Sequence, residues 1–247
     1  MFEMVPPPAA GRMFRGSRRV RLGDCSPGGR LRLDAAARYL QDLSDDDTRD
    51  AGLAQMTWVV RRTVIDVLHF PTYLEQLEMV TWCSGIGSRW AERRVDITSA
   101  GGGLLRSATL WVHLDADTLR PVPQSPVFAE TFAAASQGRS VSPRLVLDGP
   151  PADLVLADWP LRFTDFDVME HVNNAVAFAL VEEVLAARRA WRAPLRLEVE
   201  YRQPIDRGVT VWHGVSEAAA HVDGWLLDDA QRCLIAYRIV RPPHGSP

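Results

Sequence analysis

The sequence predicts an α+β chain in which one unit is used twice. Three observations carry this expectation. Residues 31–43 place apolar side chains at helical spacing, and from Thr57 the pattern changes to β-branched and aromatic residues in short alternating runs. The same order of helix and then strands returns after residue 155. Each predicted helix is also preceded by a polar loop, and the two loops register at an offset of 141 residues, Arg30 onto His171.

Taken in order, residues 1–13 hold Pro6, Pro7 and Pro8 and an acidic Glu3, which fits a flexible lead rather than a signal peptide. Val20 to Leu22 reads as the end of a short strand. It runs into G-D-C-S-P-G-G, a turn-rich loop. A helix follows, with Asp34 as its expected N-cap and Ala37, Leu40 and Leu43 on one face. The acidic run 44–50 reads as a solvated helix end. Strands are expected over 57–70, 77–84, 90–98 and 104–114, pairing as an antiparallel meander, with Gly101 to Gly103 as a turn. Residues 118–155, rich in Pro, Ser and Ala without a sustained period, read as a connector.

In the second half a strand near 159–163 enters the loop R-F-T-D-F-D-V-M-E-H-V-N-N. A helix is expected from about 174 to 191, then strands at 195–202, 209–217, 225–227 and 233–240, with Asp223-Gly224 as a turn. The expected units are therefore 14–117 and 156–247. At the offset above, Asp24 falls on Asp165, Ser26 on Asp167, and Gln41-Asp42 on Glu182-Glu183.

Composition excludes several classes. The chain has 247 residues, 47% of them hydrophobic and 24% charged, with a net charge of −3. That is an ordinary globular balance with no global affinity for nucleic acid. Cys25, Cys83 and Cys233 are scattered, so neither a disulfide framework nor a zinc site is expected, and no cofactor or metal. No apolar run reaches the length of a membrane span. A cytoplasmic monomer or homodimer is the simplest expectation.

The chemistry concentrates at residues 165–174. Asp165, Asp167 and His171 can take or hold a proton, and Asn173 or Asn174 can cap the helix behind them. A helix start presents free N–H groups and a positive dipole end, which suit developing charge on a carbonyl oxygen. These residues also suit a plain capped turn.

D-x-D-x-x-x-H-V-N-N resembles the second-half motif of the acyl-ACP thioesterases. The likeness extends through W-V-V-R-R at 58–62, Pro71, T-W at 81–82, W-V-H-L-D-A-D-T-L-R-P at 111–121, Glu183 and V-E-Y-R at 199–202. The resemblance implies a tandem hot-dog fold, each half a long helix wrapped by an antiparallel sheet. It also implies hydrolysis of fatty acyl-ACP, or acyl-CoA, thioesters. Asp167 would activate water, and His171 would position substrate or tie the loop by hydrogen bonds. Asn173, Asn174 and Asp165 would lie at the substrate, with Trp58 a core residue or a wall of the acyl tunnel. The sequence departs from the family where Met169 replaces an Asn, and where Pro204 and Ile205 stand in place of a Glu and a Cys. That favours a reduced catalytic set, or a protein that only binds acyl thioesters. G-D-C-S-P-G-G also resembles the loop of 4-hydroxybenzoyl-CoA thioesterases. Asp24 is therefore a second catalytic candidate, or a turn residue bonding its own backbone. Glu183, twelve residues and over three helical turns after His171, is expected to be structural. Two arginine clusters, Arg89 with Arg93 and Arg94, and Arg188 with Arg189, Arg192 and Arg196, are candidate docking faces for an acidic carrier protein.

Overall fold

The computed structural model describes residues 4–188 and 190–241. Ten strands form one antiparallel sheet with three helices: β1 Met13–Arg19, α1 Leu33–Asp50, β2 Thr57–His69, β3 Gln76–Ile86, β4 Trp90–Ser99, β5 Leu104–Leu114, α2 Pro126–Ser136, β6 Ala157–Asp158, α3 Val176–Ala186, β7 Leu195–Tyr201, β8 Trp212–Glu217, β9 His221–Leu227 and β10 Cys233–Val240. Their order across the sheet is β1-β3-β4-β5-β2-β7-β10-β9-β8-β6. Read from either edge, the order is the same, so the halves are related by a pseudo-twofold between β2 and β7. Those two strands pair antiparallel from Arg62 opposite Glu200 to Val67 opposite Leu195. The tandem hot-dog expectation therefore holds, and one continuous sheet joins the two units.

The helices α1 and α3 contact each other and bury their apolar faces in a single core with both half-sheets. Leu33, Tyr39, Leu40 and Leu43 of α1 meet Phe178, Leu180, Val181 and Leu185 of α3 there. A single core spanning both halves makes each unit part of the other's fold.

The duplication is reproduced in the two loops, bond by bond. Asp24 N–H donates to Arg21 O, as Asp165 N–H does to Arg162 O, each at 3.0 Å. Arg32 N–H reaches Asp24 O at 2.9 Å and Asn173 N–H reaches Asp165 O at 2.8 Å. Each loop closes through a left-handed residue, Gly29 with φ 81° and Glu170 with φ 61°. Glycine adopts that conformation freely, whereas a glutamate there carries strain.

Several expectations are corrected. The strands β3, β4 and β5 form a meander, but β2 crosses to pair with β5 instead of β3. The first strand ends at Arg19, before the expected segment, and β6 lies just ahead of its expected place. Residues 118–155 contain α2, which Ser125 caps by accepting Phe128 N–H at 3.2 Å. Beyond it, the segment straps the outer sheet face: Trp90 Nε1–H donates to Val141 O at 2.7 Å, and Trp225 Nε1–H to Asp148 O at 3.0 Å. Asp223-Gly224 lies inside β9, where Gly224 opposes Tyr237 and a Cβ would meet that ring. Arg32 takes the α1 N-cap position, because the Asp34 carboxylate bonds the Arg32 and Arg38 guanidinium groups instead of backbone. The acidic end of α1 is not uniformly solvated: Asp47 is 1% exposed and bonds Arg12 and Arg93.

Candidate active site

Two pseudo-equivalent corners exist, each made by one unit's loop and helix start facing the other unit's helix. In the second corner, Asp167, Asn173 and Asn174 line an open cleft of about 800 Å³ opposite Gln41, Asp42 and Asp45 of α1 and Trp111 of β5. The Asp167 carboxylate accepts only the Met169 N–H, at 2.9 Å, among the described residues. Asn173 Oδ1 accepts the Ala175 N–H at 2.9 Å, one residue before α3. Asn173 thus closes an Asx turn ahead of α3 instead of capping it, and the N-cap position falls to Ala175, which makes no side-chain cap bond. Asn174 O accepts the Tyr201 hydroxyl at 2.9 Å, which fixes the helix start to β7. The Asn174 N–H makes no hydrogen bond among the described residues.

Gln41 and Trp111 line this cleft, a narrow neck beside it, and a half-open pocket of about 170 Å³. Met56, Trp58, Cys83, Ala91 and Phe128 form the apolar side of that pocket, and Ser44, Asp45, Thr48, Glu92 and Arg93 its polar side. The Trp58 ring sits 5.1 Å from Phe128 of α2, so the unexpected helix helps to wall the pocket. Burial pushes the Cys83 thiol up to about 11, so it is a protonated wall and not a thiolate nucleophile at neutral pH.

His171 is not brought to the cleft. Its Nε2 lies 3.2 Å from Asp206 Oδ1, and the two residues pair as an isolated β-bridge. Val172 N–H donates to Ile205 O at 2.9 Å beside it. The Pro204-Ile205 stretch therefore docks the loop through backbone, and Asp206, which sequence reading missed, supplies the carboxylate. Asp165 is absorbed by its own turn, accepting Arg162 N–H at 2.7 Å.

Asp24 makes the same bond in the first corner, to Arg21 N–H at 3.1 Å, with the Arg38 guanidinium 3.7 Å away. This is the turn role that Asp before such a loop commonly takes. Glu182, not Glu183, carries the structural bonds of α3. It takes a bidentate pair from Arg30 at 2.8 and 2.7 Å, and its Oε1 accepts Leu33 N–H at 2.6 Å. Glu183 is exposed.

The expected docking clusters are largely consumed by ion pairs. Arg93 and Arg94 are buried against Asp47 and Glu92, Arg188 bonds Glu217, and Arg196 bonds Asp66. Arg189 lies outside the described residues. Arg15, Arg19 and Arg21, on and after the edge strand β1, are exposed. Among the described residues, no helix is long and apolar enough to cross a membrane, and no group of His, Cys, Asp and Glu is placed to hold a metal.

Comparison with known proteins agrees with the fold. The sequence matches the family models for the acyl-ACP thioesterase N-terminal domain over residues 11–132 and C-terminal domain over residues 151–229. An uncharacterized protein of Mycobacterium tuberculosis is 32% identical over 207 residues, 83% of each chain. The fold superimposes on an acyl-ACP thioesterase from Bacteroides thetaiotaomicron with a TM-score of 0.80 at 14% identity, covering 92% of this chain and 97% of that one. A 12:0-ACP thioesterase from Umbellularia californica gives 0.76 at 20% identity, covering 94% and 98%.

Proposed function

The chain belongs to the acyl-ACP thioesterase family, whose homologues are thioester hydrolases, and from that premise we propose that it releases a fatty acid from acyl carrier protein in its second corner. One observation carries the placement: Asp167 and Asn174, whose N–H is unbonded among the described residues, line the same cleft, with a half-open pocket of partly apolar lining beside it.

The carrier thiol arm enters along the open cleft and the acyl chain passes Gln41 and Trp111 toward the Met56, Trp58 and Phe128 side of the adjoining pocket. Asp167 accepts a proton from water as the oxygen attacks the carbonyl carbon. The carbonyl oxygen becomes an oxyanion facing the Asn174 N–H at the start of α3, where the helix dipole adds to the attraction. The C–S bond then breaks, and the sulfur leaves as a thiol with the proton from Asp167. His171 acts on the loop instead of the substrate: its contact with Asp206 pins the hairpin that carries Asp167. No step needs the Glu and Cys that Pro204 and Ile205 replace. An acidic carrier would meet Arg19 and Arg21, which line a depression sharing Ser17 and Arg18 with the cleft.

The experiment is thiol release from a chain-length series of acyl-ACP and acyl-CoA thioesters. Higher kcat/KM on acyl-ACP supports the reading. Higher kcat/KM on acyl-CoA replaces the carrier. Tight binding without turnover on any thioester makes the chain a binding protein and overturns it.

A further inference from the structure

The pseudo-twofold pairs every group in one corner with a group in the other, and the two corners are in different states. Offset by 141 residues, Leu33 corresponds to Asn174, Arg30 to His171 and Gln41 to Glu182. In the first corner, Glu182 reaches from α3 across to the start of α1. Its carboxylate caps the Leu33 N–H at 2.6 Å and is clamped by Arg30. The Arg30 guanidinium in turn stacks over Phe70 at 4.2 Å. That corner contains its own anion, on a side chain only 11% exposed. In the second corner each of these contacts is missing. The Asn174 N–H has no acceptor, His171 is turned to Asp206, and neutral Gln41 makes no side-chain hydrogen bond, all among the described residues. Trp111 adds a buried Nε1–H without a partner, and lines the cleft, neck and pocket together with Gln41.

We propose that Gln41 is a substrate-positioning residue of the second corner, its side-chain amide donating to the reacting carbonyl beside the Asn174 N–H, and that Glu182 occupies the matching place in the first corner and keeps it closed. This rests on the thioesterase reading above. Glu182 shows what the position accepts: a carboxyl oxygen against the first free amide of the helix. A thioester carbonyl on its way to an oxyanion, and the carboxylate of the fatty acid product, present the same oxygen. An uncharged amide at position 41 can donate to that oxygen, whereas a carboxylate there would repel it and take the Asn174 N–H itself. Two positions on different helices, each facing the other unit's helix start, thus separate an open corner from a closed one.

The test compares the parent chain with Gln41→Ala, Gln41→Glu and Glu182→Gln on the best acyl-ACP of the series, with inhibition by the matching free fatty acid measured in each. Gln41→Ala is expected to lower kcat about 10²-fold with KM little changed, the usual loss for one oxyanion donor. Gln41→Glu is expected to lose both turnover and inhibition by the fatty acid, because its own carboxylate takes the product's place. Glu182→Gln is expected to leave kcat and KM at the parent value. A Gln41→Ala enzyme with parent kcat overturns the proposal, as does a Gln41→Glu enzyme still inhibited like the parent. Either loss accompanied by a matching fall in melting temperature makes Gln41 structural, and also overturns it. A parent chain that turns over no thioester fails at the earlier reading, a result distinct from these.

Discussion

His213, on β8, shows how a single partly buried side chain sets a property of the whole chain. It shares a 2.8 Å hydrogen bond with the Tyr237 hydroxyl. Burial, with a smaller push from the Arg188 charge, lowers its pKa from the ordinary 6.5 to about 4. Between those values the unfolded chain binds a proton that the folded chain excludes. Stability therefore falls as pH drops from 6.5 to about 4, by about 3 kcal/mol in all. Urea unfolding at pH 7 and pH 4.5 should show this loss, and His213→Gln should shrink it. An unchanged pH dependence in the variant would assign the loss to other groups. At this scale the sequence revealed what was local. Asp167, Asn173 and Asn174 stand within one motif, and the structure sets them in one cleft. Gln41, Trp111 and Asp206 come from distant stretches, and only the folded chain brings them to the loop.

Among the elements, α1 does two jobs. Its middle presents Gln41 to the cleft, while its last turns anchor unit one through Asp47. That carboxylate, 1% exposed, receives Arg12 Nε–H at 2.7 Å and the Arg93 guanidinium from β4. Asp47→Ala would leave the nearly buried Arg93 cation without its partner. The expected cost is about 3–5 kcal/mol, seen as a lower urea midpoint at unchanged slope. A midpoint shift under about 1 kcal/mol would mean that water replaces the carboxylate. Asp47 reads in sequence as one of several exposed acids, since D-D-D carries no mark of which side faces inward. The helix α2 was legible in principle: Ser125-Pro126 is an N-cap followed by a first-turn proline, with Phe128, Phe132 and Ala135 spaced for one face. Its setting in a Pro- and Ser-rich stretch hid it. The pairing of β2 with β5 was not legible, because strands of like pattern do not encode their neighbours.

For the molecule as a whole, duplication supplies two corners, and the proposed reaction uses the second. The repeat was legible from element order and loop register, because a loop that must close before a helix constrains its own residues. Which corner works was not legible, since the motif departs from its family at Met169, Pro204 and Ile205 and Asp24 offered a second candidate. The structure shows Asp24 bonded to its own turn beside a corner filled by Glu182, and Asp167 lining an open cleft. Steady-state thiol release from acyl-ACP by the parent, Asp167→Ala and Asp24→Ala, each confirmed folded by its melting curve, decides between the two corners. Asp167→Ala is expected to lower kcat at least about 10²-fold, the low end for a general base, while Asp24→Ala stays within a few-fold of the parent. Loss confined to Asp24→Ala would place the chemistry in the first corner and contradict the account.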